Sequence, residues 1–246
     1  MQTHDTNQTL GAFEVLPFSR TCQIIWEEGD HVLIGVSPGN SYFNAERIAE
    51  LADWAQRRFA EIDFVYADLH VEEMFAAFGY SREHAARRAA KELKAVRRRL
   101  VKGVGRAGPP EGSTRVRGLS EFGGNPVYQL QHRRVRHFME HDDAFRKGCE
   151  DMVRYFLEAK VGDGEAPSEW QRRVCLDYIA AELPFFVDTP GILGVPSSVA
   201  AYHTVMPLTE VLYARGGGLR ATRNQAYAVV RPEGLERPEG GVARAA

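Results

Sequence analysis

Three cysteines occur in 246 residues, Cys22, Cys149 and Cys175, far apart and without Cys-x-x-Cys spacing. That scarcity argues against a disulfide framework and a cysteine-rich zinc site, and for a reducing compartment. No apolar run approaches the ~20 residues that a membrane span needs. The polar start, MQTHDTNQTLG, lacks the apolar core of a secretory signal, so the expected setting is the cytoplasm, away from membranes. Charge of one sign is not in excess: 31 Lys and Arg face 33 Asp and Glu, a net of −2, which gives no global pull toward nucleic acid or acidic lipid. No internal repeat is visible. The zincin spacing H-E-x-x-H is absent around Asp68, His70, Glu72 and Glu73, so these are read as structural and no metal is expected. What remains is ordinary for a globular chain, 44% apolar and 26% charged, and long enough for one large domain or two small ones.

The chain is organised around Asp30 to Phe43, DHVLIGVSPGNSYF. Val32 to Val36 is an apolar run that breaks into Ser37-Pro38-Gly39-Asn40-Ser41, and a helical pattern follows from Asn44. A short apolar run bounded by turn residues reads as a buried strand, and strand, turn and helix form the first half of a βαβ unit. Cys22 to Trp26 reads as a short strand or a lead-in to the main one. Asn44 can cap a helix to about Phe59, Glu61 to His70 reads as a second buried strand, and Val71 to Phe78 as a short helix. Ser81 to Arg106 is the most strongly patterned helix, with Ala86, Ala90, Leu93, Leu100 and Val104 in one arc. Thr114 to Leu119 is a third strand. Helices follow over about Val127 to Glu140 and Asp142 to Lys160, then a linker over Val161 to Pro167. Ser168 and Gln171 make a capping box for a helix to about Phe186. Gly191 to His203 reads as another strand end and loop, Pro207 to Arg215 as a short helix, and Gln225 to Arg231 as the final strand. The alternation predicts an α/β fold: a single Rossmann-like domain over residues 12–232, its mainly parallel sheet flanked by helices, between a flexible tail (1–11) and a disordered one (233–246).

In open α/β sheets ligands bind beyond the carboxyl ends of strands. Ser37 lies at such an end and is either a helix-entry cap or a nucleophile. Gly35 to Gly39 matches the G-x-S-x-G nucleophile elbow, but the elbow needs an N–H on the residue after the serine, and Pro38 has none. The glycines still leave room for a substrate at Ser37. Residues 82–106 hold ten Lys or Arg against two Glu, a net of +8. Such a helix is either a solvated outer face or a ridge for phosphates, contacted without base reading. Tyr178 and Glu182 lie four apart on one helix face. A carboxylate in that apolar stretch is costly to bury without a partner, so the two are either a surface Glu beside a core Tyr or an acid/base pair. Tyr202 and His203 end a strand-like segment and are candidates to stand beside Ser37.

Jointly, HVLIGVSPGNSYF, FVYADLHVEEM, the basic helix, CLDYIAAELPFF and VPSSVAAYH, in this order over about residues 25–232, resemble a cyclodipeptide synthase. Asn40 with Tyr202 and His203 resembles its Asn/Tyr/His subfamily. The resemblance implies a fold like the catalytic domain of class I tyrosyl- and tryptophanyl-tRNA synthetases. No HIGH-type or KMSKS-type motif is present, so neither ATP nor a cofactor is expected. The implied activity is that of an aminoacyltransferase of secondary metabolism, joining the residues of two aminoacyl-tRNAs into a cyclic dipeptide, a 2,5-diketopiperazine. It would run by a ping-pong scheme through aminoacyl- and dipeptidyl-enzyme on Ser37. By the same resemblance, Glu182 and Tyr178 hold and deprotonate the α-amine, Tyr202 and Asn40 position the ester and relay protons, and His203 supports rather than acts as a triad base. Leu33, Gly35, Val65, Leu119, Phe185 and Ala200 would line the first side-chain pocket, which makes an apolar first residue the expectation. The tRNA backbone would lie along Arg87, Lys91, Lys94, Arg98, Arg99 and Lys102, and a monomer is expected. Val205 departs from the family pattern, standing where some relatives carry an acid. The rival readings are a serine esterase and a non-catalytic tRNA-binding module.

Overall fold

A computed structural model describes residues 8–10, 13–161 and 166–234. Most of both expected tails, and the middle of the expected Val161–Pro167 linker, lie outside the described residues. Gln8–Leu10, expected in the N-terminal tail, forms strand β1 and pairs antiparallel with β2 (Phe13–Pro17). The next element departs from expectation. Cys22 to Trp26 belongs to a helix, α1 (Arg20–Glu28), because Ser19 caps its first turn and Gly29 ends it in the left-handed conformation. Its Cys22, Ile25 and Trp26 are buried, so the apolar run is the inner stripe of a helix.

β3 (His31–Val36) leads through the Ser37 turn to α2 (Ala45–Gln56), whose first amides at Glu46 and Arg47 donate to the Asn44 side chain. β4 (Glu61–Tyr66), α3 (Val71–Ala77), α4 (Arg82–Ala107) and β5 (Thr114–Gly118) follow. Then come α5 (Pro126–His141), α6 (Asp143–Val161) and α7 (Glu169–Leu193). The chain closes on β6 (Ser198–Tyr202), α8 (Thr209–Tyr213) and β7 (Gln225–Pro232). The Ser168–Gln171 capping box is formed, and α7 runs past Phe186 to Leu193 through a break at Asp188.

The sheet order is β1-β2-β7-β6-β3-β4-β5. β7, β6, β3, β4 and β5 are parallel, and β2 joins β7 antiparallel. The chain builds outward from β3 through β4 to β5, then returns to β3's other edge with β6. The order therefore reverses between β3 and β6, where ligand crevices open in such sheets. One sheet face buries Val32, Ile34, Val36, Phe64 and Val199 under α1, α2 and α4, with Trp26 and Trp54 stacked at 5.8 Å. The other face is covered by α5, α6 and α7. On α4 the buried stripe is Ala85, Ala89, Val96, Leu100, Gly103 and Val104. It is rotated from the predicted arc, leaving Ala90 exposed and Leu93 half-buried.

Candidate active site

The switch point carries the candidate side chains. Ser37-Pro38-Gly39-Asn40 is a tight turn closed by the Asn40 amide donating to the Ser37 carbonyl at 3.3 Å. Pro38 in its second position and Gly39 at φ +76° in its third are the pattern of a type II turn. A Cβ at Gly39 would meet nothing within 4 Å, so backbone conformation rather than space calls for glycine. The turn carries Ser37 off β3 toward Tyr202, which ends β6.

The Ser37 hydroxyl is within hydrogen-bonding reach of both Tyr178 and Tyr202, and Tyr178 in turn meets Glu182 one helical turn away on α7. Burial, then the Glu182 charge, pushes the Tyr178 phenol well above its ordinary range. Burial pushes Tyr202 up to about 12. Both phenols are therefore neutral donors at neutral pH. Burial raises the Glu182 carboxyl from 4.5 to about 7, against the Tyr178 hydrogen bond that lowers it. A carboxyl poised there both takes and returns a proton near neutrality.

Asn40 is held by the Tyr42 amide donating to its Oδ1 at 3.0 Å, and its Nδ2 donates to the Tyr202 hydroxyl at 3.5 Å and to His203 Nε2 at 3.3 Å. Burial lowers His203 to about 4, so its ring is neutral and accepts from Asn40. Tyr42 stacks on that ring at 4.3 Å. His203 thus braces Asn40 and Tyr202. Tyr42 was not singled out from the sequence, although it follows the Ser37 turn directly.

A cavity of about 60 Å³ opens at Ser37, walled by Gly35, Glu182 and Tyr202 and by apolar side chains of α6, α7 and α8, among them Met152, Phe186 and Leu212. Of the six residues expected to line a first pocket, Gly35 alone faces this cavity. Leu33, Val65, Leu119 and Phe185 pack together on the β4 side with Phe122 and Tyr128 in a buried apolar cluster. Ala200, opposite Leu33 in the sheet, packs with Tyr227 and Val229. Phe185 and Phe186, consecutive on α7, therefore face different apolar groups, the first this cluster and the second the cavity. Val205 is exposed next to the cavity residue Met206.

Along α4, Lys91, Lys94, Arg98 and Lys102 are exposed and make no ion pair among the described residues. Arg87 pairs with Glu83 at 2.8 Å in solvent, a contact of little energetic weight. Arg99 differs: it is half-buried and pairs with Glu92 at 2.9 Å. Glu92 also accepts the Gly39 amide at 3.0 Å, so the basic helix touches the Ser37 turn.

The family model for cyclodipeptide synthases matches residues 13–232. A cyclo(L-tyrosyl-L-tyrosyl) synthase of Mycobacterium tuberculosis is 47% identical over 222 residues, 90% of this chain and 77% of that protein. A cyclo(L-leucyl-L-phenylalanyl) synthase of Streptomyces noursei is 42% identical over 213 residues, 87% of this chain and 89% of that protein. A Mycobacterium tuberculosis structure described as demonstrating that cyclodipeptide synthetases are related to type I tRNA synthetases superposes with a TM-score of 0.85 at 44% identity, covering 95% of this chain and 100% of that one.

Proposed function

This chain belongs to the cyclodipeptide synthase family, a family of aminoacyltransferases, and from that premise we propose that it builds its product from two aminoacyl-tRNAs through covalent intermediates on Ser37. The observation that carries the reading is the convergence of Ser37, Glu182 and Tyr202 on one cavity at the switch point of the sheet, with Tyr178 behind it in reach of Ser37 and Glu182.

Ser37 Oγ attacks the ester carbonyl of the first aminoacyl-tRNA. The bond to the ribose oxygen breaks, that oxygen leaves with the serine proton, and an aminoacyl ester remains on Ser37. Its α-ammonium gives a proton to Glu182, whose carboxyl near pH 7 is matched to the task, while Tyr178 and Tyr202 hold the reacting groups by their hydroxyls. The freed amine attacks the ester of the second aminoacyl-tRNA, forming a peptide bond and releasing the second tRNA. The new terminal amine then attacks the seryl ester, closing the ring and returning the Ser37 hydroxyl. No ATP is needed, because each ester arrives activated. The apolar surroundings of Ser37 favour an apolar first residue. The exposed cations of α4 suit the tRNA sugar-phosphate backbone.

The test is expression in a bacterium with cyclic dipeptides read from the medium by mass spectrometry, alongside incubation with radiolabelled aminoacyl-tRNA. Wild type should make product and retain label, and Ser37→Ala should fold, make none and retain none. Equal label on Ser37→Ala would sink the covalent assignment. Cleavage of a simple aryl ester without tRNA would favour an esterase, and tRNA binding with no product a binding module.

A further inference from the structure

Glu92 is one of two acids in a helix segment of net charge +8, and it points at the Ser37 turn. Its Oε1 accepts from the Gly39 amide at 3.0 Å and from Arg99 Nη2 at 2.9 Å. Glu92 and Arg99 are seven residues apart, two turns along one face of α4, with side chains only 23% and 28% exposed. Type I and type II turns differ in the orientation of their central peptide, here Pro38 to Gly39. Gly39, free of a Cβ, tolerates either backbone state. An external acceptor on the Gly39 N–H selects one of them, and a charged acceptor does so about twice as strongly as a neutral one. The same contact ties the middle of the turn to α4, and with it the loop that carries Ser37 and Asn40 at its two ends.

We propose that Glu92, held by Arg99, is a positioning residue that locks the Ser37–Asn40 turn in its reactive form. The inference rests on the reading of Ser37 as the acylated residue. It assigns the face of α4 two tasks. Lys91, Lys94, Arg98 and Lys102 meet the tRNA backbone, while the Glu92–Arg99 pair reaches past them to the nucleophile.

The experiment measures single-turnover transfer of label from aminoacyl-tRNA to the protein over a range of tRNA and salt concentrations. Glu92→Ala should lower the saturating rate of acylation about 10- to 100-fold, the scale of a reacting group displaced by up to an ångström, with the half-saturating tRNA concentration unchanged. Glu92→Gln keeps an oxygen for the Gly39 amide and should lie closer to wild type than to Glu92→Ala. That rescue also separates positioning from misfolding. Arg99→Ala should slow acylation at saturating tRNA as well, because it frees Glu92 from its anchor. Acylation of Glu92→Ala at the wild-type rate, weakened tRNA binding with an intact rate, or acylation unslowed at saturating tRNA in Arg99→Ala would each overturn the proposal. Ser37→Ala in the same assay keeps the two readings apart. Label retained there sinks the nucleophile and this inference with it; label that depends on Ser37 but not on Glu92 sinks the inference alone.

Discussion

On the proposed mechanism, Glu182 ties reactivity and stability to one proton. Its carboxyl ionises at about 7 in the fold, against 4.5 for an ordinary glutamate. The unfolded chain therefore sheds this proton at lower pH than the folded one, and the folded state loses stability as pH rises from 4.5 through 7. Glu182→Gln removes that penalty and should be more stable than wild type at pH 8, by roughly 3 kcal/mol from the size of the shift. The difference should fade below pH 5, as followed by urea unfolding. The same variant should form cyclic dipeptide about 10²- to 10⁴-fold more slowly. Wild-type activity should climb with a midpoint near pH 7, a limb missing from the variant. Spacing put Tyr178 and Glu182 on one helix face but left open a surface Glu beside a core Tyr, while the strand end gave the place of Ser37. The Glu92 contact was not legible. An acid among basic residues reads as a surface charge until the fold brings a loop 53 residues away against it.

Among the elements, α4 shows where periodicity reads well and where it blurs. Its length and basic face were plain, but alanine recurs so often that neighbouring faces differ little in hydrophobicity, and the buried stripe came out rotated. Gly103 explains part of the choice. A Cβ there would lie 2.5 Å from Ile48 Cγ2 and 2.8 Å from the Ala45 carbonyl oxygen, so α2 and α4 touch through the missing side chain. Gly103→Ala should destabilise by about 1–3 kcal/mol through overpacking, despite the helix propensity gained, as a lowered urea midpoint would register. On the opposite side, Lys94→Ala, Arg98→Ala and Lys102→Ala together should leave that midpoint nearly unmoved. The triple variant should flatten the salt dependence of tRNA affinity by about 0.7 to 0.9 in slope per contact. An unchanged slope would mean that the tRNA docks elsewhere. α1 escaped the sequence reading for a different reason. Its nine residues are too few to display a period clearly, and only the Ser19 and Gly29 caps identify it.

At the scale of the whole molecule, four parallel strands are bolted together toward the end opposite the site. Asp63 on β4 is fully buried; His31 of β3 meets it at 3.0 Å, Arg115 and Arg117 of β5 donate to it, and His31 also meets Ser198 of β6 at 2.8 Å. Burial alone would raise this carboxyl, yet the His31 and Arg115 hydrogen bonds and the Arg117 charge bring it down to about 2. Its contribution is complete above pH 3.8 and is lost as pH falls through 2, roughly 2 kcal/mol from the shift. Asp63→Asn should destabilise by at least that much at pH 7 and converge on wild type in strong acid. The alternation of apolar runs and amphipathic segments made the parallel core legible. It could not supply the strand order, since nothing local says that β6 returns to β3 rather than extending from β5. That return has a consequence for how the protein is born. Ser37 leaves the ribosome early, but its strand gains its second neighbour only when Val199, Ala200 and Ala201 have been made and aligned with Val32, Leu33 and Ile34. Closing so long a loop is slow, and the carboxyl at 182 and the phenols at 178 and 202 arrive on the same late stretch. If Ser37 is the acylated residue, as proposed, a growing chain surrounded by charged tRNAs carries its serine unarmed through most of translation, and becomes able to divert their amino acids only once nearly the whole sheet is closed.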